Sequence, residues 1–558
     1  MSHTTDTAGA GAGPMLAADG TPLKRSLNRA LRRQKLRALM LIAPLLLFVL
    51  LTFIAPIADM LFRSVENQIV SDTLPETVET LSDWDHTTQA PPSETVYEAL
   101  YFDMFVAAEA KEHTRLGGRL NYEMSGLSSL IRSSGRSLDD LGDDYLDALE
   151  AIDPAWGEGA FWFELMSGEG EAAEEVITAR RRAVAQMTGD RLGGDTGFAP
   201  SAEIAALLPR TTRAYSDFAV FTALVDGDVV AEEDPWESVY VGLALDLQQA
   251  DVSGYAGPGG DALRAAQADL DSLPLMPLSQ FFDEEVDADW NDPEVWAVIQ
   301  TYSPRYTTGY FLNAVDLQLT PDGVATRPER ESIYIMLFKR TLFMSLTITL
   351  SCILLGYPVA WLLANLPSSK ANLLMILVLL PFWTSLLVRT SAWKVMLQQQ
   401  GVINDVLVWL GLVADNDRLV MINNQFGTIV AMTHILLPFM ILPLYSVMQG
   451  IPPSYLRAAK SLGATNWTAF WRVYFPQSVP GIGAGSILVF ILAIGYYITP
   501  EIVGGTTGTF ISNRIAYHIS SSLNWGLAAA LGAILLAVVL LLYWAYDRIV
   551  GIDNVKLG

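Results

Sequence analysis

The sequence predicts an all-α polytopic membrane protein with six transmembrane helices and one large acidic insertion. The mean hydropathy is positive and only 17% of the 558 residues are charged, which is too few for an ordinary soluble protein. Six apolar runs reach the length of about 20 residues that a helix needs to cross a bilayer. Charge is segregated, because residues 61–330 hold 50 acidic against 16 basic residues, whereas the remainder holds 10 against 19.

The N-terminal segment, residues 1–37, begins with a Gly-, Ala- and Thr-rich part that predicts disorder and ends in a basic stretch. The apolar run at 38–61 is too long for the core of a signal peptide and lacks a small-residue cleavage site. We therefore expect a retained signal anchor as the first transmembrane helix, with its basic end in the cytoplasm.

The other predicted transmembrane helices are 337–364, 371–393, 426–449, 482–503 and 524–546. With a cytoplasmic N-terminus, residues 62–330 lie outside, whereas the loop 452–480 and the tail 551–558 lie inside. The charge pattern agrees with this topology, because the predicted inside loops carry Lys370, Arg457, Lys460 and Arg472.

The insertion at 62–330 is long enough for a domain with its own core, and we expect it to be mostly helical. The segments 94–110 and 137–152 place apolar residues at helical spacing, with Ser137 as a possible N-cap, whereas 237–247 fits a helix or a strand. Its two histidines, His86 and His113, lack the spacing of metal ligands.

Two acidic clusters of the insertion, Asp143–Asp144 and 283–285, have the composition of a cation site or an acid/base pair. A solvated acidic face explains them better, and nothing in the insertion supports catalysis.

The stretch SYLRAAKSLGATNWTAFWRVYFP, residues 454–476, predicts a helix-turn-helix elbow on the membrane face. Its paired alanines let a partner approach the backbone, and Gly463 permits the turn. Thr465 is expected to cap a second, aromatic helix that stops at Pro476. An interfacial helix with aromatics at the lipid headgroups is the alternative, but it does not explain the spacing of the alanines, the glycine and the proline.

This spacing resembles the EAA loop of bacterial ABC-importer permeases, whose pattern is Glu-Ala-Ala-x3-Gly-x9-Ile-x-Leu-Pro. The corresponding positions are Arg457, Ala458, Ala459, Gly463, Val473, Phe475 and Pro476. Arg457 replaces the acid of the family, while Val473 and Phe475 are conservative changes. The resemblance implies that the loop docks into a groove of a cytoplasmic ATPase and couples ATP hydrolysis to the membrane helices.

Four further segments, 381–393, 401–412, 436–448 and 496–505, resemble spermidine/putrescine-type permeases in order and spacing. The resemblance implies the type I ABC importer permease fold in a bacterial inner membrane, with the insertion in the periplasm and a polyamine such as spermidine or putrescine as solute. Ferric iron, betaine-like compounds and phosphonates are solutes of related permeases and stay open. The insertion has no counterpart in the compact members of this family.

The chain has no Gly-Lys pair and therefore no P-loop. We expect no catalytic residue, no metal and no bound cofactor here, with ATP and Mg used by a separate ATPase dimer. The resemblance also implies a second permease subunit, in a heterodimer or a homodimer, and a periplasmic solute-binding protein. We expect contact with membrane lipid and none with nucleic acid.

An intramembrane charge indicates where a solute passes. Glu501 is the candidate contact for a cationic solute, and the alternatives are an ion pair with Arg389 or a structural cap at the water boundary. His434 is expected to donate a hydrogen bond between helices. Candidate wall residues through cation–π attraction, with interfacial packing as the alternative for each, are Tyr496, Tyr497, Trp383 and Trp393.

The acidic insertion is expected to concentrate polycations near the pathway, and solubility alone is the alternative explanation of its charge. Two other classes of protein fit the chain less well. A membrane-anchored ligand sensor needs no elbow and should carry a cytoplasmic output domain. An ion-coupled secondary transporter predicts inverted repeats and several buried charges, neither of which is clear in the sequence.

Overall fold

A computed structural model of the chain describes residues 23–168 and 171–550. The predicted disordered tail before Leu23 and the predicted cytoplasmic tail 551–558 lie outside these residues. The chain divides into two compact units, Met1–Arg63 and Ser64–Gly558.

The described part of the first unit is one long helix that contains a π-turn, with the segments Leu23–Val49, Leu50–Ile54 and Ala55–Arg63. Its part from Gln34 to Arg63, here called span 1, is long and apolar enough to cross a membrane. The helix begins upstream of the predicted anchor 38–61 because Leu, Arg and Lys, which dominate the basic stretch, all favour helix.

The second unit contains four more helices long and apolar enough to cross a membrane. These are span 2 (Tyr334–Asn365), span 4 (Gln425–Gln449), span 5 (Asn466–Gly495) and span 6 (Trp525–Arg548). A bent pair, Ser368–Trp383 with Leu386–Met396, is span 3. The described residues thus hold five candidate spans, or six with the bent pair, in agreement with the predicted all-α polytopic fold.

Two predicted spans differ from the structure. The segment 371–393 is not straight, since the halves of span 3 meet at 94°. Thr384 and Ser385 have extended backbone there, which interrupts the helical hydrogen bonds. The segment 482–503 is not one helix either, because span 5 ends at Gly495 and a separate helix follows after Tyr496 and Tyr497.

Short helices connect the spans. They are Val402–Trp409, Pro453–Ser461, Ile498–Val503, Gly505–Gly508 and Ile511–Ser520.

The insertion is mostly helical, as predicted. Its α-helices are Ile69–Thr73, Pro75–Leu81, Glu94–Glu109, His113–Leu120, Leu127–Ile152, Gly159–Met166, Glu171–Thr188, Ala202–Leu207, Pro209–Phe221, Glu237–Leu247, Gly260–Ala268, Leu278–Phe281, Pro293–Thr301 and Gly309–Asn313. An antiparallel hairpin pairs Leu317–Thr320 with Gly323–Thr326.

Two local expectations for the insertion are settled by these helices. Residues 237–247 form a helix that is buried on nearly all sides, which is why the apolar pattern could not distinguish it from a strand. Ser137 lies inside the helix Leu127–Ile152 and caps nothing, because the buried apolar face of this helix continues through it.

The insertion has a hydrophobic core of its own, drawn from residues 70–302. Trp156, Trp162, Trp290 and Trp296 are each at most 1% exposed within it. Ion pairs run beside this core: the Arg213 guanidinium donates to Asp103 at 2.8 Å and pairs with Glu76 at 2.5 Å. The Asp103 side chain is 1% exposed, so its charge depends on Arg213 and on the backbone N–H groups of Glu76 and Thr77, which donate to it at 3.0 and 2.8 Å.

Spans 2, 4 and 5 pack closely through small residues. Gly485 of span 5 lies against Met440 of span 4, where an added Cβ would come within 2.6 Å of the Met440 sulfur. Gly356 of span 2 lies against the same methionine, with a Cβ contact of 3.1 Å to its side chain. Close backbone approach at glycine is typical of helix packing in membranes.

The insertion packs against the beginning of spans 2 and 6. Asp316 caps span 2, since its carboxylate accepts from the backbone N–H groups of Tyr334 and Ile335, both at 2.8 Å. Tyr310 lies on Gly526 of span 6, where a Cβ would come within 2.4 Å of its ring. Residues of the insertion, of both spans and of the helix Ile511–Ser520 share one buried cluster.

Candidate functional site

The elbow, residues 453–480, has the turn that its sequence predicts. Its first helix, Pro453–Ser461, ends in a Schellman motif in which Gly463 has a φ of +90°. The Gly463 N–H donates to the Lys460 carbonyl at 3.0 Å and the Ala464 N–H donates to the Ala459 carbonyl at 3.1 Å. The left-handed conformation at Gly463 closes both bonds.

The second part of the elbow begins as predicted but does not end at Pro476. The Thr465 hydroxyl accepts from the Thr468 N–H at 3.2 Å, which confirms the N-cap. A π-turn then covers Phe470–Tyr474 and the helix continues as Phe475–Gly495, so the second part of the elbow is the first part of span 5. The wider π-turn carries the backbone past Pro476, which would otherwise clash with the carbonyl four residues earlier.

The elbow presents apolar and basic side chains to solvent. Leu462 is 90% and Trp467 is 73% exposed, on either side of Gly463. Arg457, Lys460 and Arg472 are also exposed, and Arg457 forms no ion pair with the described residues. This surface therefore combines large apolar groups with positive charge.

The predicted elbow residues divide between a face exposed to solvent and a face packed on the membrane helices. Arg457, Ala458 and Pro476 are exposed, and Ala459, Val473 and Phe475 are half-buried. Phe470 and Phe475 face Tyr357 of span 2, with ring centroids 6.2 and 5.9 Å away, and the Tyr357 hydroxyl lies 2.9 Å from the Ser478 hydroxyl. One face of the elbow thus packs on the membrane helices, and the other is free to contact a partner.

Glu501 lies where the helix of span 5 breaks. Span 5 ends at Gly495, and the helix Ile498–Val503 carries the carboxylate. Asn513, which is 6% exposed, donates to Glu501 Oε2 at 2.6 Å and to the Tyr497 carbonyl at 2.9 Å. Asn513 is thus the hydrogen-bond partner of Glu501, and Arg389 does not pair with Glu501 in the part of the chain that the structure describes.

A cavity of about 520 Å³ opens beside Glu501. This Glu501 cavity is lined by Tyr497, Glu501, Gly505, Thr506, Thr509, Asn513, Arg514, Ala516, Tyr517, Ser520 and Ser521. The Arg514 guanidinium lies 5.6 Å from the centroid of the Tyr517 ring. The lining therefore offers one carboxylate, one guanidinium and two tyrosines to a solute.

The other predicted wall residues lie elsewhere. Tyr496 is half-buried against the core of the spans, and Trp383 is 71% exposed. The Trp393 indole donates to His434 Nδ1 at 3.1 Å. His434 therefore joins two helices as expected but accepts the hydrogen bond, so its predicted role as donor is wrong.

Asn513, Arg514 and Tyr517 were not predicted from the sequence. They share one face of the helix Ile511–Ser520, together with Ser520 and Ser521. A polar stripe at helical spacing between two spans was the available signal. The pairing of Asn513 with Glu501 could not be predicted from the sequence, because it depends on the fold.

The histidines of the insertion have ordinary contacts. His86 Nε2 lies 3.4 Å from Asp322 Oδ1, and His113 Nδ1 lies 3.3 Å from the Ala107 carbonyl oxygen. No group of three or more His, Cys, Asp or Glu residues within 23–168 and 171–550 is placed to hold a metal ion.

Comparison with known proteins places the membrane part in a family. Residues 342–550 match the family model "Binding-protein-dependent transport system inner membrane component". The "Spermidine/putrescine transport system permease protein PotB" of Salmonella typhimurium is 36% identical over 222 residues, which are 39% of this chain and 77% of that protein. The chain belongs to this family of ABC importer permeases. It is a multi-pass inner-membrane transport subunit and not an enzyme.

Two further similarities are weaker. The "Inner membrane ABC transporter permease protein YdcU" of Escherichia coli is 32% identical over 259 residues, 44% of this permease and 80% of that protein. A crystal structure of a bacterial ABC transporter involved in import of the polysaccharide alginate is 22% identical, covers 40% of this permease and 80% of its own chain, and has a TM-score of 0.34. The family match includes the elbow and Glu501, whereas the insertion lies outside it.

Proposed function

We propose that this permease is the membrane-spanning subunit of an ATP-driven importer of a polyamine such as spermidine or putrescine. The observation that carries the proposal is the 36% identity to a spermidine/putrescine permease. The family match that contains both the elbow and Glu501 supports it. A periplasmic binding protein delivers the solute, a second permease subunit completes the pathway, and an ATPase dimer drives it.

The elbow is the docking site of the ATPase. Its exposed Leu462 and Trp467 are large apolar groups that a partner groove would remove from water. The small Ala458 lets that partner approach the first helix closely. Because the second helix of the elbow is the beginning of span 5, a displacement of the elbow moves the span that leads to Glu501.

The Glu501 cavity is the contact site of the solute. A volume of about 520 Å³ is within the range of small-molecule sites. The Glu501 carboxylate attracts an ammonium group, and the ring of Tyr497, 46% exposed, offers it a cation–π face. The net charge of the insertion raises the local concentration of polycations.

A betaine-like solute is the second candidate, and Arg514 is the observation that favours it. Arg514 lines the same cavity as Glu501, so a zwitterion would find a partner for each of its charges. A polyamine has no anionic group to pair with Arg514. Arg514→Gln should therefore leave or improve uptake of spermidine, whereas it should weaken uptake of a zwitterion.

The experiment that tests the solute begins with purification of the permease together with its native partners. The solutes held by the co-purifying binding protein are identified by mass spectrometry, and ATP-dependent uptake of labelled spermidine is measured in proteoliposomes. We expect Glu501→Gln to raise the KM for spermidine, while Glu329→Gln, an exposed glutamate of the insertion, leaves it unchanged. A binding protein that holds an anion such as sulfate and no polyamine would overturn the solute assignment.

The orientation is proposed with the N-terminus and the elbow in the cytoplasm and residues 62–330 in the periplasm. The one cysteine of the chain, Cys352, is buried, so an added cysteine reports its own exposure. In spheroplasts, a membrane-impermeant maleimide should label Ser82→Cys of the insertion and not Ser454→Cys of the elbow. The opposite pattern would reverse the topology.

A further inference from the structure

We infer that the helix Ile511–Ser520, here called the strap helix, links the insertion to the Glu501 cavity, so that the insertion positions Glu501 through Asn513. The inference rests on the proposed function, because Glu501 is a proposed solute contact. It assigns a role to the insertion, which lies outside the family match.

The first part of the strap helix holds the broken end of span 5. The Asn513 amide donates to Glu501 Oε2 and to the Tyr497 carbonyl, and its oxygen accepts from the Phe510 N–H at 3.0 Å. The Ser512 hydroxyl donates to the Tyr496 carbonyl at 2.7 Å. Both ends of the Asn513 side chain are occupied, so the placement of the strap helix determines the placement of the carboxylate.

The last part of the strap helix contacts both the insertion and the beginning of span 2. His518 is 3% exposed, and its ring lies 5.9 Å, between centroids, from the ring of Tyr122 in the insertion. Its Nε2 lies 3.0 Å from the hydroxyl of Tyr334, and its Nδ1 lies 2.8 Å from the hydroxyl of Ser522. The Arg327 guanidinium donates to the Tyr122 carbonyl, which fixes this tyrosine to the chain that leads into span 2.

The two contacts are close along the same rigid element. Asn513 and His518 are five residues apart, which is about 7.5 Å along an α-helix. The helix start is also anchored, since the Ile511 N–H donates to the Thr341 hydroxyl of span 2 at 2.9 Å. A shift of Tyr122 therefore displaces His518 and tilts the short helix about its anchored start, and Asn513 and the carboxylate move with it.

A double-mutant cycle on the complete importer in proteoliposomes tests the link. Tyr122→Leu removes the ring that contacts His518, and the matched control is Tyr306→Leu, a tyrosine of the insertion that is 72% exposed. Because aromatic contacts of this kind are modest, we expect Tyr122→Leu to raise the KM for spermidine about fivefold with little change in kcat. The control should leave both unchanged. In the Glu501→Gln background, Tyr122→Leu should raise the KM no further.

Hydrogen–deuterium exchange of the same complexes gives a readout independent of transport. We expect the amides of residues 511–520 to exchange faster in Tyr122→Leu and not in Tyr306→Leu. If Tyr122→Leu does not assemble, Tyr122→Met, which retains apolar bulk, replaces it in both measurements. Effects on KM that multiply, or unchanged exchange, would overturn the link. If Glu501→Gln leaves uptake unchanged while exchange responds as expected, the proposed solute site fails and the link between insertion and strap helix stands.

Discussion

Replacement of Gly463 tests the role of the elbow, because the free-energy cost of the replacement follows from the backbone conformation at this residue. Its φ is +90°, and an added Cβ would meet no atom within 4 Å. Within this chain, alanine at this position therefore meets backbone strain alone, which is about 1–2 kcal/mol. That strain favours an opened turn by about 5- to 30-fold, with loss of the bonds to the Lys460 and Ala459 carbonyls.

The assay is the number of ATP molecules hydrolysed per solute imported by the reconstituted transporter. We expect Gly463→Ala to raise this number and Gly463→Val to raise it further, because a β-branched residue is more strained than alanine at positive φ. Gly463→Asn should stay near the native value, since Asn tolerates the left-handed conformation. The matched control is Gly118→Ala in the insertion, where a Cβ also meets nothing within 4 Å and φ is not positive.

Two results would refute this reasoning in different ways. If Gly463→Asn is uncoupled as strongly as Gly463→Ala, the presence of a side chain against the partner decides, and the left-handed turn does not. If Gly463→Ala and Gly463→Val are both fully coupled, the elbow is not the coupling element.

Three further outcomes are expected. Arg457→Glu should retain native coupling and the co-purifying ATPase, because the exposed guanidinium has no ion pair in the described residues; loss of the ATPase would contradict this. Arg213→Leu should lower the free energy of unfolding by about 3 kcal/mol, because it leaves Asp103 buried without its cation. It should lower the melting temperature of the full chain far more than Arg305→Leu does, because the Arg305 side chain is 55% exposed. Burial, and next the charge of Arg514 on the same helix, lower the pKa of His518 from 6.5 to about 4. The neutral imidazole therefore stabilises the fold above pH 6.5, and this contribution is lost as the pH falls towards 4. Melting curves at pH 7 and 4.5 should show a larger loss for the native chain than for His518→Gln, and equal losses would refute the assignment.

Local chemistry made the elbow predictable from the sequence. Gly463 and Thr465 act on their own neighbours within four residues, so their roles as helix end and N-cap follow from residue type alone. The apolar runs likewise predict the spans, because length and hydropathy decide whether a helix can cross a bilayer. Pro476 is the exception, since the π-turn that accommodates it depends on the packing of Phe470 and Phe475 on Tyr357.

Breaks and long-range partners were beyond the sequence. Ile498, Ile502 and Val503 follow Tyr497, so the predicted span runs across a break that the strap helix stabilises through its contacts with the Tyr496 and Tyr497 carbonyls. The apolar run also continues across the bend of span 3, so the sequence does not predict this bend. Asn513 pairs with a carboxylate twelve residues away on another helix, and no spacing rule identifies such a pair.

The contact of Tyr310 with Gly526 also has a consequence for the order in which the protein is made. The core of the insertion is complete by residue 302, so it can form before spans 2 to 6 leave the ribosome. Gly526 is synthesised about 200 residues after Tyr310, which is roughly 10–40 s later at ordinary rates of translation. Until span 6 arrives, the edge of the Tyr310 ring that meets Gly526 stays uncovered, while Arg119 of the insertion lies over the face of the ring. Closure of this contact therefore marks a chain whose last helix has been delivered.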